Sequence, residues 1–350
     1  MSTVPDPRDA PPVRWGILGA GHIASRFVTA VQQHTRSTVV AVGSRDRLRG
    51  EAFAAAHGIG AGIGDRVGTG IGDRVGAVHT GYEALVADPA VDVVYVATPH
   101  SEHREHALLA IAAGKHVLVE KAFTRNAIEA AEVIEAARAA GVFLMEAMWT
   151  RFLPHVAALR QVVERGEIGD VVHVSADFGG SPQYDPTGRN FNPALAGGAL
   201  LDLGVYPIAF AQDLLGAPVR VTAIGSRAET GVDVESTVTL EFAGRARAVA
   251  RSSFLADSPR RAVVIGTEGR IDVEPEFYAP TTFTVTRRDG TRWRFAEPVD
   301  DGMQFEAAEV ARCVAAGRVE SSRMTWAGTL QVLRTLDAAR AQLGVVYPGE

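Results

Sequence analysis

Cysteine is nearly absent from this chain. Cys313 is the only one in 350 residues, which excludes an intrachain disulfide and fits a reducing compartment. It falls in a helical pattern with Phe305, Glu309 and Val310 and reads as a small core residue rather than a reactive thiol. Excess positive charge is also missing. The formal net charge is −6 and the isoelectric point near 6.0, which argues against nucleic acid or an anionic membrane as the main partner. The apolar runs are short, so no membrane span is expected. Residues 1–12 are rich in Pro and Asp and lack the apolar core of a signal peptide; they read as a disordered tail. What remains is ordinary for a globular protein, with 47% hydrophobic and 22% charged residues. The length predicts two domains.

The first pattern with chemical content is Trp15-Gly16-Ile17-Leu18-Gly19-Ala20-Gly21-His22-Ile23-Ala24. An apolar strand runs into Gly-x-Gly-x-x-Ala, and Ile23, Phe27, Val28 and Val31 mark a helix after it. Gly19 permits the tight turn, Gly21 lets backbone approach a pyrophosphate, and Ala24 lets helix and strand pack closely. The helix N-terminus offers free N–H groups to phosphates. A second buried strand, 38–42, leads to Gly43-Ser44-Arg45-Asp46. A carboxylate just past that strand would accept from the 2′-hydroxyl of NAD. Ser44 and Arg45 instead suit a 2′-phosphate, so NADP(H) is expected, with Asp46 keeping NAD(H) as the lesser alternative.

Residues 62–68 and 70–76 repeat the same seven letters, Gly-Ile-Gly-Asp-Arg-Val-Gly. Without the Lys-Ser/Thr of a phosphate-binding loop, this reads as a tandem duplication in a surface loop. The near-continuous apolar run 91–98 predicts a strand buried on both faces, broken at Pro99. Ser101 is expected to cap a helix over 102–113. His100, His103 and His106 drift around that helix with no acidic or Cys ligand beside them, so no metal site is expected. Strand 116–119 runs into Glu120-Lys121-Ala122, Thr124 is expected to cap a helix ending at Gly141, and strand 142–145 follows. Lys121, at a strand end facing a ligand crevice, either holds a substrate hydroxyl or forms a surface ion pair with Glu120; neighbours on a strand point to opposite sides, which disfavours the pair.

The pattern changes after Glu146. A helix over 154–165 precedes strands at 171–178, 219–226, 237–242, 246–254, 261–265, 270–274, 282–287 and 291–295, with Asp289-Gly290 as a hairpin turn. Helices return at 303–316 and 325–342. The expected fold class is therefore α/β: an N-terminal doubly wound parallel Rossmann sheet, then an α+β domain with a large, mostly antiparallel, open-faced sheet. Boundaries fall at 13–146 for the nucleotide domain and 147–350 for the domain of substrate binding and oligomerisation. Within the second half, a glycine turn at 197–198 feeds a helix in which Asp202 and Tyr206 are four apart and share a face. They read either as a pair facing a cleft or as a helix-start acid with a half-buried phenol.

Together these motifs resemble the Gfo/Idh/MocA oxidoreductases over nearly the whole chain. The resemblance is carried by Gly19–Ala24, Ala97-Thr98-Pro99, the stretch from Gly114 to Lys121, and that from Gly198 to Tyr206. The segment Met145-Glu146-Ala147-Met148-Trp149-Thr150-Arg151-Phe152, with Tyr206 where many relatives carry His, is similar to the branch containing dimeric dihydrodiol dehydrogenase and NADP-dependent D-xylose dehydrogenase. The resemblance implies reversible hydride transfer between nicotinamide and a carbinol carbon of a sugar, polyol or vicinal diol. Tyr206 is then the general acid/base, Lys121 lowers its pKa, and Asp202 orients Lys121 or the substrate. Cofactor contacts are implied for Gly19, Gly21, His22 and Ile23, for Ser44 and Arg45, for Thr98, Pro99 and His103, and for Glu120 with Lys121. Trp149, Arg151 and Phe178 are implied as substrate walls. The resemblance also implies a homodimer or larger homo-oligomer joined through the open sheet face, and no metal; a cytoplasmic location is expected, in keeping with the single cysteine. Two alternatives stand beside it: a keto-sugar reductase, and a catalytically silent dinucleotide sensor. One departure is Ala122, where the family has Pro. A cis bond before Ala costs about 3 kcal/mol, so a trans bond is expected there.

Overall fold

A computed structural model of the chain describes residues 4–60 and 77–350; the duplicated heptads at 62–76 lie outside the described residues. The first half alternates strand and helix: β1 (Arg14–Leu18), α1 (His22–His34), β2 (Thr38–Ser44), α2 (Arg47–His57), β3 (Ala77–Thr80), α3 (Glu83–Val86), β4 (Val93–Val96), α4 (His103–Ala112), β5 (His116–Glu120), α5 (Ala127–Ala140) and β6 (Leu144–Ala147). Its strands form a parallel sheet in the order β3-β2-β1-β4-β5-β6. The strand order reverses beside β1, and that reversal opens a crevice at the carboxyl ends of β1 and β4. Val93 to Val96 are all fully buried, as a sheet covered on both faces demands.

The second half contains α6 (Pro154–Glu164), β7 (Val171–Gly179), α7 (Val205–Leu215), β8 (Arg220–Arg227), β9 (Asp233–Glu241), β10 (Arg247–Ser253), β11 (Ala262–Gly266), β12 (Gly269–Val273), β13 (Phe283–Arg287), β14 (Arg292–Phe295), α8 (Met303–Ala315) and α9 (Trp326–Leu343). The sheet order is β14-β13-β12-β11-β7-β10-β9-β8, antiparallel throughout except where β7 and β10 run parallel. Alternate residues of β9 and β10 are buried, on the face that packs against α7. The opposite face carries cross-strand pairs such as Arg251–Glu235 and Arg261–Glu274. Helices α8 and α9 turn back to pack on α1 and α5. Trp326 Nε1 donates to Leu144 O at 2.9 Å, so the end of the chain fastens one half to the other.

Several expectations are corrected. Residues 4–12 are ordered rather than a tail: Pro7–Asp9 form a 3₁₀ turn on α8, Ala10 is buried, and Arg36 and Arg312 donate to carbonyls of this segment. Tertiary partners hold a stretch whose own sequence has no periodicity. Asn126, not Thr124, caps α5, its side chain accepting from Glu129 N at 2.9 Å. Ser101 sits in a 3₁₀ turn over His100–Glu102 instead of capping α4. The run Pro193–Leu215 is long and apolar enough to cross a membrane, but 83% of its apolar window is buried inside the protein.

Candidate active site

The crevice starts where β1 stops. Gly19 has φ +105°, and a Cβ there would lie 2.8 Å from Ala97 O, so a side chain is excluded by conformation and by space. Gly21 is the N-cap of α1 and provides no side-chain cap. Nothing lies within 4 Å of where its Cβ would be. The first N–H groups of α1 therefore face open space in a cavity of about 610 Å³, lined also by His22 and Ile23, Ser44 and Arg45, Thr98 and Pro99, and Glu120 with Lys121. An uncapped helix start, a Cβ-free approach and this volume fit the pyrophosphate of a dinucleotide.

At the β2 end of the cavity, Ser44 is buried and Arg45 is exposed, with Arg45 Nη1 2.9 Å from Glu102 Oε1. Arg49 joins them, its Nε donating to Ala20 O at 3.1 Å. Asp46, the residue that keeps NAD open, also lines the cavity and caps α2, its Oδ1 accepting from Arg49 N at 3.1 Å. Two guanidinium groups thus border this end, together with Asp46, which uses one carboxylate oxygen to cap α2.

At the other end, β5 delivers Glu120 and Lys121 to opposite sides. The buried Glu120 accepts from Tyr95 OH, and burial raises its pKa. Lys121 Nζ reaches across to Asp202, 3.1 Å from Oδ1 and 2.8 Å from the backbone O. It also lies 4.9 Å from the centre of the Tyr206 ring. Asp202 sits in a single π turn, Leu200–Gly204, that leads into α7. Such turns insert a residue into a helix and are frequent at functional sites. The second Asp202 oxygen accepts from Arg189 Nη2 at 3.1 Å. Burial works against the Asp202 charge, yet Lys121 and Arg189 together hold its pKa well below the usual carboxylate range. Burial likewise opposes the Lys121 charge, and Tyr206, Asp202 and Glu120 overcome it, raising its pKa. Tyr206 corrects the expectation: burial pushes the phenol above its ordinary value, and Lys121 draws it down only in part.

The Lys121–Ala122 peptide bond is cis, where a trans bond was expected. Ala122 is fully buried, and the carbonyls on both sides of the bond have imidazole partners. Lys121 O is 3.2 Å from His100 Nε2, and Ala122 O is 2.9 Å from His103 Nδ1. His103 also places Nε2 2.8 Å from Thr98 O, while His106 Nδ1 meets Thr98 Oγ1 at 2.9 Å. The three histidines thus brace the crevice loops. Burial lowers His100 to about 3 and His103 to about 4, so both rings are neutral. His103 shares the cavity wall, with a carbonyl oxygen within 3 Å of each ring nitrogen, and the neutral ring donates to one of the two.

Of the three substrate-wall residues, Phe178 reaches the site. Its ring centre is 5.6 Å from Tyr206 and stacks on Tyr278 at 4.1 Å. Trp149 is buried beside Tyr206, whose pKa it helps to lower, and the Arg26 guanidinium lies 5.2 Å from its ring centre. Arg151 does not reach the site: it is buried 3.7 Å from Asp213 and its carbonyl accepts from Arg323. Its position beside Trp149 in the sequence conceals that the 3₁₀ turn at 149–152 sends the two side chains apart. The cavity also contains residues that sequence reasoning left out, namely Arg49, Tyr82, His100, Arg189 and Asn190. Arg49 was within reach, four residues after Arg45; Arg189 and Asn190 lie in an irregular stretch with no local signal.

The chain is similar to known proteins over nearly its whole length. A family model described as "Oxidoreductase family, NAD-binding Rossmann fold" matches residues 13–148, and one described as "GFO/IDH/MocA C-terminal domain" matches residues 156–272. Trans-1,2-dihydrobenzene-1,2-diol dehydrogenase of Danio rerio is 38% identical, covering 96% of this chain and 98% of the relative. The Mus musculus protein of that name is 37% identical over the same shares. Among solved structures, aldose-aldose oxidoreductase from Caulobacter crescentus, complexed with glycerol, superposes with a TM-score of 0.83 at 26% identity, covering 95% of this chain and 98% of that one. A 3-ketoreductase from Actinomadura kijaniata in complex with NADP superposes with a TM-score of 0.78 at 26% identity, covering 95% and 97%.

Proposed function

The chain belongs to the Gfo/Idh/MocA oxidoreductase family, and from that premise we propose that it is an NADP-dependent dehydrogenase of vicinal diols or sugars, with Tyr206, Lys121 and Asp202 as its reacting set. The observation that carries the reading is the meeting of Lys121 Nζ with both Asp202 and the Tyr206 ring at the nicotinamide end of the crevice. A bound nicotinamide supplies the hydride acceptor or donor. The protein's part is the proton. Tyr206 takes it from the carbinol oxygen in oxidation and returns it to the carbonyl oxygen in reduction. The Lys121 charge stabilises negative charge on either oxygen. Asp202 fixes Lys121 by two contacts and keeps it protonated. A phenol that is neutral at pH 7 is ready for the reductive direction, so the same set serves a keto-sugar reductase. The silent-sensor alternative is disfavoured because every member of the set is present and in contact.

NADP is preferred over NAD in this reading because Arg45 and Arg49 border the β2 end and Asp46 is engaged in capping. The single buried thiol, Cys313, suits a reducing cytoplasm. We further infer a homodimer or larger homo-oligomer formed through the open face of the second sheet. The negative net charge gives no reason to add nucleic acid or membrane as partners. Fluorescence titration with NADPH and NADH tests the cofactor reading. The protein is expected to bind NADPH more tightly. Arg45→Ala and Arg49→Ala should each weaken NADPH by about 10-fold or more, in line with loss of a charge-assisted contact, and leave NADH nearly unchanged. Equal affinities in the parent protein would overturn the NADP assignment.

A further inference from the structure

A second cavity, of about 250 Å³, is walled by α6 and α8 and shares no lining residue with the dinucleotide crevice. Its walls follow from helical spacing. Ala157, Arg160, Gln161 and Glu164 stand at i, i+3, i+4 and i+7 on α6, and Phe305, Glu309 and Arg312 at i, i+4 and i+7 on α8, so each helix turns one face to the cavity. Arg323, from the connection between α8 and α9, and Phe152 join the wall. Arg323 is half-buried and makes no ion pair among the described residues; its Nη2 donates to Arg151 O. Its Nε and Nη1 have no hydrogen-bond partner among the described residues, and neither is shut off from solvent. The carboxylates around it stand closer to other cations. Asp213 Oδ1 lies 3.0 Å from Arg160 Nη1 and 3.7 Å from Arg151 Nε. Glu164 is 3.7 Å from Arg160, and Glu309 Oε1 accepts from Ser321 Oγ at 2.6 Å with Arg318 at 4.0 Å. Burial, then the charges of Arg160 and Arg151, draw the Arg323 pKa down, against the pull of Asp213 and Glu309. Arg312 also makes no ion pair among the described residues, its Nη2 donating to Asp6 O at 2.7 Å.

A guanidinium with open donors, set among like charges and facing a cavity, calls for an oxyanion, which accepts from its planar fork at two points. Phe152, Phe305 and Ala157 line the same cavity and offer apolar contact to whatever carries the oxyanion. The volume suits a small ligand rather than a dinucleotide. We propose that this cavity binds a small organic carboxylate, held by the Arg323 guanidinium and packed against the two phenylalanines. The site stands apart from the dehydrogenase reading, since it uses none of the crevice residues.

The test is calorimetric titration of the full chain with benzoate, and with benzamide as its neutral isostere; it needs neither cofactor nor turnover. The parent protein should bind benzoate with a dissociation constant of about 1 mM or below, and benzamide about 10-fold or more weakly than that. Arg323→Gln, which can still donate to Arg151 O, should weaken benzoate by about 10-fold or more. Ala157→Trp keeps every charge and fills the cavity, so it should abolish benzoate binding by exclusion. Urea midpoints close to that of the parent protein show that the variants are folded, and if Arg323→Gln is not, Ala157→Trp decides alone. The proposal is overturned if the parent protein does not bind benzoate, if benzamide binds as tightly, or if a folded variant keeps the parent affinity, which would place the benzoate elsewhere, the dinucleotide crevice included.

Discussion

The catalytic set rests on an electrostatic balance around one phenol. Burial and the negative charges of Glu120 and Asp202 push the Tyr206 pKa up, while Lys121 and Trp149 pull it down, and the balance lies above the ordinary value of 10.0. Oxidation uses the phenolate as base, so its kcat/KM should climb about tenfold per pH unit through the neutral and mildly alkaline range. Reduction uses the phenol and should stay level over that range. Lys121→Met removes the chief downward influence, so the oxidative limb should move to still higher pH and activity at pH 8 should fall. An oxidative profile already level at pH 7 would show that the phenol titrates low after all. The sequence could name Tyr206, Lys121 and Asp202 by motif, but not the sign of this shift. The sign depends on how completely α7 and β5 bury the ring, and burial belongs to the packed chain. The same blindness explains Arg151, one helical step from a site residue and pointing elsewhere.

At the scale of elements, periodicity and capping chemistry made most of the fold readable. Continuous apolar runs gave the parallel strands, alternation gave β9 and β10, and Gly141 ends α5 in the left-handed conformation. Ends were less readable, because several residues near each end are competent caps. Thr124 and Asn126 are both acceptable; the turn places Thr124 Oγ1 on Asn126 O and leaves Asn126 to cap. Asn126→Ala should therefore cost about 1 kcal/mol of stability. Asn126→Ser, which retains a capping oxygen, should keep most of it, and Thr124→Ala should not reproduce a cap loss. Urea unfolding midpoints of the three variants check this. The π turn at Leu200–Gly204 was also hidden, since a four-residue spacing looks the same in either helix type. Its geometry is stabilised from outside, by Asp233 Oδ2 accepting from Leu200 N at 2.6 Å, across 33 residues of sequence.

The whole molecule carries a cost that no single motif reveals. Glu120, Glu146 and Glu306 are buried near one another where α8 returns to the first sheet, and neither Glu306 oxygen has a hydrogen-bond partner among the described residues. Burial raises Glu146 to about 7 from an ordinary 4.5. A carboxyl group raised on folding holds its proton more tightly in the native state. Its contribution is intact below about pH 4.5 and is lost as pH rises through 7. Glu146→Gln, still able to accept from Thr329, should match the parent protein near pH 4 and exceed it at pH 8 by roughly 1–3 kcal/mol. Equal stabilities at both pH values would contradict this. The closing of the two halves on each other through α8 and α9 was not legible beforehand. Helical periodicity shows that a face is apolar and leaves open which distant surface it covers.

The central claim is that Tyr206, held against Lys121, moves the proton in an NADP-dependent oxidation of a hydroxyl-bearing carbon. Its most direct test is the absorbance of reduced nicotinamide on mixing the protein with NADP and a panel of vicinal diols and aldoses, beside Tyr206→Phe. Turnover by the parent protein, a loss of about 100-fold or more in the variant in line with a general acid/base contribution, and unchanged NADPH binding are the predicted result. Full activity in Tyr206→Phe, or an inactive parent protein that still binds NADPH, would contradict it.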